Sequence, residues 1–338
     1  MARASGPLEE DGVRVIPLPQ PRGRLARFAG IPGLLSRVLA QRGDIYHLHN
    51  PDTLPLALAL RAMGKRVVYD THEDFSRRLY ARQWIPRPLR GPLATAVAAA
   101  EGLVARLVQL PIATQPAVRD RLGRRALLLE NPPIITGPLI DEAHRQAAAL
   151  EREEGIFRLV YPGRITRPRG LFTMLEALQR VNEQRPCRLW LIGPFDDAGD
   201  FPAAQDHPGW NYVDYLGVLP QAAAFAHILR ADAGLVTLHD TGDFRDTSPN
   251  KLFEYQTFGI PFIASDFPRW REVLRGTEAG LFVPPGDAEA VAHAILTLAD
   301  DPARRRQLGA AGRRFVAGYN WEREGEKLVG AYRGSFEI

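Results

Sequence analysis

Short apolar runs rich in β-branched residues alternate along the chain with stretches whose apolar positions recur every three or four residues. That alternation predicts strands and helices in parallel α/β units. In the first half, 44–49 (Asp-Ile-Tyr-His-Leu-His) reads as a strand, 54–63 as a helix stopped by Gly64, and 66–70 as the next strand, leading into Thr71-His72-Glu73-Asp74. An Ala-rich helix is predicted over 93–107, then a strand at 110–113, a helix from Pro116 and a strand at 126–129. From Asn131-Pro-Pro to about Gly155 the pattern breaks and turns polar, which predicts a linker. It resumes with strands at 157–161, 188–192, 212–216, 234–238 and 261–265, separated by helices, and ends in three helical segments at 288–299, 302–316 and 321–332. The architecture expected is two doubly wound domains, over 1–140 and 155–318, with a terminal helix at 319–338 crossing back to the first. Ligands in such sheets bind beyond the carboxyl ends of the strands.

A chain of 338 residues, 45% hydrophobic and 24% charged, is long enough for two cores. Its single cysteine, Cys187, excludes an internal disulfide and any multi-cysteine metal site. No apolar run approaches the ~18 residues of a membrane span, and the N-terminus lacks the features of a secretory signal, so a cytoplasmic protein is expected. Charge divides the chain. Residues 1–150 hold 21 Lys and Arg against 13 Asp and Glu, a balance of +8, while residues 151–338 carry −4. Arg77, Arg78, Arg82, Arg87 and Arg90 interleave with Phe75, Tyr80, Trp84 and Ile85. Such a stretch suits the inner face of an anionic membrane, or else it is a solvated arginine face. No nucleic-acid recognition motif accompanies it, so nucleic acid is not expected as a partner.

Two segments carry the chemistry. In Tyr161-Pro-Gly-Arg-Ile-Thr-Arg-Pro-Arg-Gly170 a strand ends, Gly163 permits close backbone approach, and Arg164, Arg167 and Arg169 precede a helix. Arginines beside a helix start suit a diphosphate; the alternative is a surface loop that is merely basic. In Asp246-Thr-Ser-Pro-Asn-Lys-Leu-Phe-Glu254, Ser248 is predicted to cap a helix with Pro249 in its first turn. Glu254 then projects from the second turn, where a carboxylate can accept from a ribose diol, or else it pairs with Lys251 at i, i+3. His47 and His49 alternate with apolar residues and read as structural, with no acidic or histidine partner to complete a metal site.

The order Tyr161-Pro-Gly-Arg164…Arg169-Gly170, Ser248-Pro-Asn-Lys-Leu-Phe-Glu-Tyr255, Gly259-Ile-Pro-Phe-Ile-Ala-Ser-Asp266, Glu278-Ala-Gly-Leu-Phe-Val-Pro-Pro-Gly-Asp287 and Leu308-Gly-Ala-Ala-Gly312 resembles glycosyltransferase family 4. Over 36–135 the resemblance is looser and rests on 44–49, Tyr69-Asp-Thr-His-Glu73 and Asn131-Pro132. It implies the GT-B fold, two Rossmann-like domains facing across a cleft, with the N-terminal domain lacking its first strand–helix unit here. It implies retaining transfer of a sugar from a nucleotide-diphosphate donor to a glycan or lipid-linked acceptor, with no cofactor and no metal.

Position by position, the resemblance places the family's diphosphate-binding arginine at Arg164 and its usual lysine at Arg169. The paired acids eight residues apart fall on Asp246 and Glu254, the first a methylene shorter than the family's glutamate. Backbone N–H groups around Ser248 to Asn250 are expected to face the donor's sugar and phosphate, with Pro249 and Lys251 also among the donor-binding residues and Gly217 and Val218 at the nucleobase. His72 matches an active-site histidine; the alternative is a loop histidine satisfied by Glu73 or Asp74. The competing reading is a non-catalytic GT-B protein that binds a nucleotide sugar or a partner glycosyltransferase.

Overall fold

The structure is a computed structural model that describes residues 8–10, 12–18, 30–81, 85–242 and 244–337. Arg82 and Trp84 of the basic stretch lie outside the described residues. The chain divides into two compact units, one of residues 1–130 with 327–338 and the other of residues 131–326.

In the first unit, β1 (Leu8–Glu10) and β2 (Val13–Val15) form an antiparallel pair. Then β3 (Ile45–His49), β4 (Arg66–Thr71), β5 (Leu110–Ala113) and β6 (Leu127–Leu128) form a parallel sheet in that order. The connecting helices are α1 (Ile31–Ala40), α2 (Leu54–Ala62), α3 (Phe75–Arg78), α4 (Arg87–Leu107) and α5 (Pro116–Leu122). The strand β4 is buried from Val67 to Thr71, as expected of a strand covered on both faces. Helix α4 starts six residues before the predicted 93. Pro88, Gly91 and Pro92 read as breakers, yet Pro88 sits at the second helical position, where its missing N–H has no intrahelical partner to lose.

The second unit holds a six-stranded parallel sheet of β7 (Phe157–Pro162), β8 (Cys187–Ile192), β9 (Val213–Gly217), β10 (Ala233–Val236), β11 (Phe262–Ser265) and β12 (Gly280–Val283). Its order is β12-β11-β10-β7-β8-β9. All six residues of β7 are buried, with Phe157, Leu159 and Tyr161 in one core cluster and Val160 in another on the opposite face. The chain winds outward from β7 through β8 and β9, returns to β7's other side as β10, and winds the opposite way. The switch point therefore lies between the carboxyl ends of β7 and β10, where doubly wound sheets take their ligands.

The expected linker is a correction. Residues Gly137–Ala149 form α6, whose Ala143 is fully buried in the second unit's core, with Leu139 and Ile140 packed against it. A polar stretch with an apolar stripe is an amphipathic helix; the Asn131-Pro-Pro start hid its period. The last helix, Trp321–Phe336, changes unit at Lys327. Cys187 is a buried free thiol, and burial pushes it up to about 12, leaving it inert at neutral pH.

Candidate active site

The switch point of the second unit is built by backbone close approach. Gly193 follows β8 at φ +131°, and a Cβ there would stand 2.0 Å from the Gly163 carbonyl oxygen. Gly170, at φ +84°, brings the loop after β7 against the loop after β10, where a Cβ would meet Thr237 O at 2.1 Å. The His239 N–H donates to Pro168 O at 2.9 Å and joins the same two loops. The Gly193 N–H donates to Gly217 O at 2.7 Å, which links the end of β9 to the set. Gly193 was not singled out in the sequence; its place directly after a buried strand, thirty residues past Gly163, was the available signal.

Onto this frame the chain hangs positive charge. Helix α7 (Leu171–Asn182) is preceded by a 3₁₀ turn, Arg167–Arg169, capped by the Thr166 hydroxyl, which accepts from the Arg169 N–H at 3.2 Å. Arg164, Arg167, Arg169, Asp196, Asp197 and Phe244 are among the residues lining an open hollow of about 460 Å³. The Arg164 Nε donates to both Asp196 oxygens at 2.8 Å, and Arg167 donates to Asp200 at 2.6 Å. The Arg169 guanidinium lies 5.3 Å from the Phe244 ring centre. Asp196 is thus the acid that holds Arg164, a partner the sequence reading missed.

After α8 (Asp200–Gln205) and α9 (Gln221–Arg230), helix α10 (Asn250–Phe258) supplies the rest. Lys251 is only 8% exposed, and its Nζ rests 4.7 Å from the Tyr161 ring centre rather than on Glu254. Gly163 sits at φ +127°, where a side chain is strained, and a Cβ there would stand 2.8 Å from that Nζ and push the ammonium aside at the end of β7. Burial, then the nearby Arg169 charge, pushes the Lys251 ammonium down to about 8, against the pull of Glu254. Burial likewise raises the Glu254 carboxyl, with Lys251 opposing. These two shifts mark groups whose charge lacks a full complement within the protein, the state expected of a site awaiting an anion and hydroxyl donors.

The predicted cap at this helix is corrected. Pro249 itself is the N-cap residue, at ψ 130°, and no side chain caps the helix. The Ser248 hydroxyl is buried without a partner. Position 248 lies one residue too early to reach the first helical N–H groups, which stay open at Asn250 and Lys251. Asp246 is exposed on the turn Phe244–Asp246, and Val218 is 71% exposed beside Gly217 at φ +65°. Gly163, Arg169, Lys251 and Glu254 are brought together, Arg164 shares the hollow with Arg169, and Ser248, Pro249 and Asn250 stand at the start of α10.

His72 belongs to the first unit. The side chains of β4 alternate, so Tyr69 and Thr71 point to one face and Asp70 to the other. On the first face, Tyr69 OH and Thr71 Oγ1 donate to Glu101 of α4 at 2.9 and 3.1 Å, and Glu101 pairs with Arg121 at 3.0 Å. On the other, Asp70 Oδ2 lies 3.3 Å from His47 Nε2, 3.4 Å from His49 Nδ1 and 3.3 Å from His72 Nε2. The expectation that His47 and His49 find no acidic or histidine partner is overturned: parallel pairing of β3 with β4 sets His49 beside Asp70. Burial alone would raise the Asp70 carboxyl, but hydrogen bonds from the three histidines outweigh it and hold it far below the ordinary range. The Asp70 hydrogen bond raises His72, with burial opposing. Neither Glu73 nor Asp74 is the partner of His72. Glu73 pairs with Arg78, and Asp74 caps α3 through the Arg77 N–H.

The basic stretch is partly engaged as well. Arg77 pairs with Asp74 at 3.7 Å, and Arg90 donates to the Ile85 and Tyr80 carbonyls. Tyr80 at 55%, Leu89 at 51% and Leu93 at 42% exposed leave an apolar strip beside exposed Arg87.

Two parallel-sheet α/β units, one with a glycine-lined cationic switch point, define a glycosyltransferase of the GT-B fold. Residues 156–301 match the family described as glycosyl transferases group 1, and residues 1–138 match the glycosyl transferase 4-like domain. The chain belongs to the group 1 glycosyltransferases of family 4. It is similar to a phosphatidyl-myo-inositol mannosyltransferase of Mycobacterium leprae, 27% identical over 94% of this chain and 82% of that protein. Among solved structures, a sucrose-phosphate synthase from Thermosynechococcus elongatus shares the fold with TM-score 0.71 at 21% identity, over 99% of this chain and 86% of the other. The Anabaena protein HepE in complex with UDP shares it with TM-score 0.67 at 15% identity, over 90% and 82%.

Proposed function

We propose that this glycosyltransferase moves a mannosyl unit, with retention of anomeric configuration, from a nucleotide-diphosphate donor to an inositol-phospholipid acceptor at the inner membrane face. The observation that carries the reading is the cationic set of Arg164, Arg169 and Lys251 at the switch point, with Glu254 one helical turn beyond Lys251. The acceptor class follows the similarity to phosphatidyl-myo-inositol mannosyltransferases and the +8 balance of residues 1–150.

In this mechanism the diphosphate sits among Arg164, Arg169, the Lys251 ammonium and the open N–H groups of α10. As the glycosidic bond breaks, negative charge grows on the leaving phosphate, and these groups stabilise it without rearranging. Glu254 accepts from the ribose hydroxyls, while the Gly217–Val218 backbone meets the base. Asp246 meets the donor sugar. The leaving phosphate takes the acceptor's proton on the face it departs, so configuration is retained and no side-chain nucleophile is needed. His72, held by Asp70, donates on the acceptor side. The positive charge comes from side chains and helix N–H groups, so transfer is metal-independent.

The test is turnover of a panel of nucleotide sugars with phosphatidylinositol vesicles. One donor should turn over, and Arg169→Ala should lower its rate by about 10²–10³. Glu254→Gln should weaken a nucleoside diphosphate while leaving pyrophosphate affinity unchanged. Undiminished turnover in folded Arg169→Ala would remove the site.

A further inference from the structure

We propose that Tyr161 and Phe244 are positioning residues of the donor site: their ring faces hold the Lys251 ammonium and the Arg169 guanidinium ready for a diphosphate without neutralising either. The proposal rests on the reading of the switch point as a nucleotide-diphosphate site, and it divides the cations there into two kinds. Arg164 pairs with Asp196 at 2.8 Å, and Arg167, which also lies over the Phe172 ring, pairs with Asp200 at 2.6 Å. Among the described residues, neither Lys251 nor Arg169 has a carboxylate within ion-pair distance. Each lies against a ring instead. The Lys251 Nζ is 4.7 Å from the centre of Tyr161, and the Arg169 guanidinium is 5.3 Å from the centre of Phe244.

The chemistry of the two partners explains the division. A carboxylate takes up a cation's N–H donors and cancels the charge that a phosphate is to meet. A ring face attracts the cation through its quadrupole and leaves the net charge in place. The cation is fixed, and its donors remain for the ligand. Both rings are themselves held. Tyr161 is fully buried at the end of β7, and its hydroxyl donates to the Arg164 carbonyl at 3.0 Å. Burial pushes its phenol up to about 12, with the Arg169 guanidinium opposing, so the hydroxyl stays neutral below pH 10. Phe244 is anchored through its backbone, where its carbonyl accepts from the Nε1–H of the buried Trp270 at 3.2 Å. The charged groups that face the Lys251 ammonium are Arg169, which adds to the effect of burial, and Glu254, which opposes it.

The experiment is calorimetric titration of the full chain with UDP and with GDP from pH 6 to 10, following whichever nucleotide the parent binds more tightly. The nucleotide's own ionisation is common to every chain, so the difference between chains is what counts. Parent affinity should fall as Lys251 loses its proton above about 8. Tyr161→Leu removes the attraction of the ring for the charged ammonium, so the fall should begin about one pH unit lower. Tyr161→Phe keeps the ring face and should keep the parent's transition. Where Tyr161→Leu does not fold, a ring-fluorinated phenylalanine at position 161, of similar shape but weaker quadrupole, gives the same comparison against Tyr161→Phe. Phe244→Leu should weaken binding about 2- to 5-fold with the transition unmoved, because a guanidinium keeps its proton, and Phe244→Tyr should restore it. A transition that stays put in folded Tyr161→Leu or in the fluorinated chain, or that moves equally in Tyr161→Phe, would overturn the proposal while the parent's binding still supports the donor site. A parent that binds neither nucleotide would remove the donor-site reading and this proposal with it.

Discussion

An ammonium buried beside a guanidinium is costly to keep charged, and Lys251 is held in that position by the Tyr161 ring and the gap that Gly163 leaves. Its pKa falls from 10.5 to about 8, so between those values the folded chain binds fewer protons than the unfolded one. Stability contributed by this group is therefore lowest below pH 8 and rises with pH up to 10.5. Ligand binding has the opposite sign. A bound diphosphate favours the charged ammonium, so binding takes up a proton above pH 8, and affinity should fall about tenfold per pH unit there. Calorimetry of nucleoside diphosphate binding between pH 7 and 10 checks this. Lys251→Met should bind more weakly and lose that slope; a slope retained in Lys251→Met would assign it to another group.

At the scale of elements, strand β4 is the shared beam of the first unit. One face carries the Tyr69–Thr71–Glu101–Arg121 network and the other carries Asp70 with its histidines. Glu101 is fully buried, so removing its carboxylate leaves Arg121 only its longer pair to Asp74, at 3.6 Å, and leaves the Tyr69 hydroxyl without an acceptor. Glu101→Ala should cost about 3–5 kcal/mol, measured by urea denaturation. A midpoint equal to the parent's would contradict the role given to this network. The alternation of strands and helices was legible because β7, β8 and β10 are buried on both faces and read as apolar runs interrupted only by Arg158 and Arg188. The cationic residues at the end of β7 were legible for the same reason, since a glycine and three arginines follow a strong strand directly. Helix α6 and the start of α4 were not, because prolines marked boundaries that the fold places inside or before a first turn. The histidine cluster was hidden differently. His47 and His49 meet Asp70 only through the register of β3 on β4, which no local spacing encodes.

At the scale of the molecule, basic charge is concentrated in residues 1–150, and Tyr80, Leu89 and Leu93 are exposed near Arg87. The proposed lipid acceptor would give this distribution a role: the protein should co-sediment with anionic vesicles more than with neutral ones, and binding should weaken as salt shortens the Debye length below ~10 Å. Equal binding to both vesicle types would leave the charge as a solvated face. The central claim is that the cationic switch point drives sugar transfer by a same-face departure. The most direct measurement is the anomeric configuration of the product, read by NMR after incubation of an α-linked nucleotide-diphosphate mannose with phosphatidylinositol vesicles. The account predicts an α-mannosyl lipid and its loss in Arg169→Ala. A β-linked product, or the same α-linked product at undiminished rate from Arg169→Ala, would contradict it.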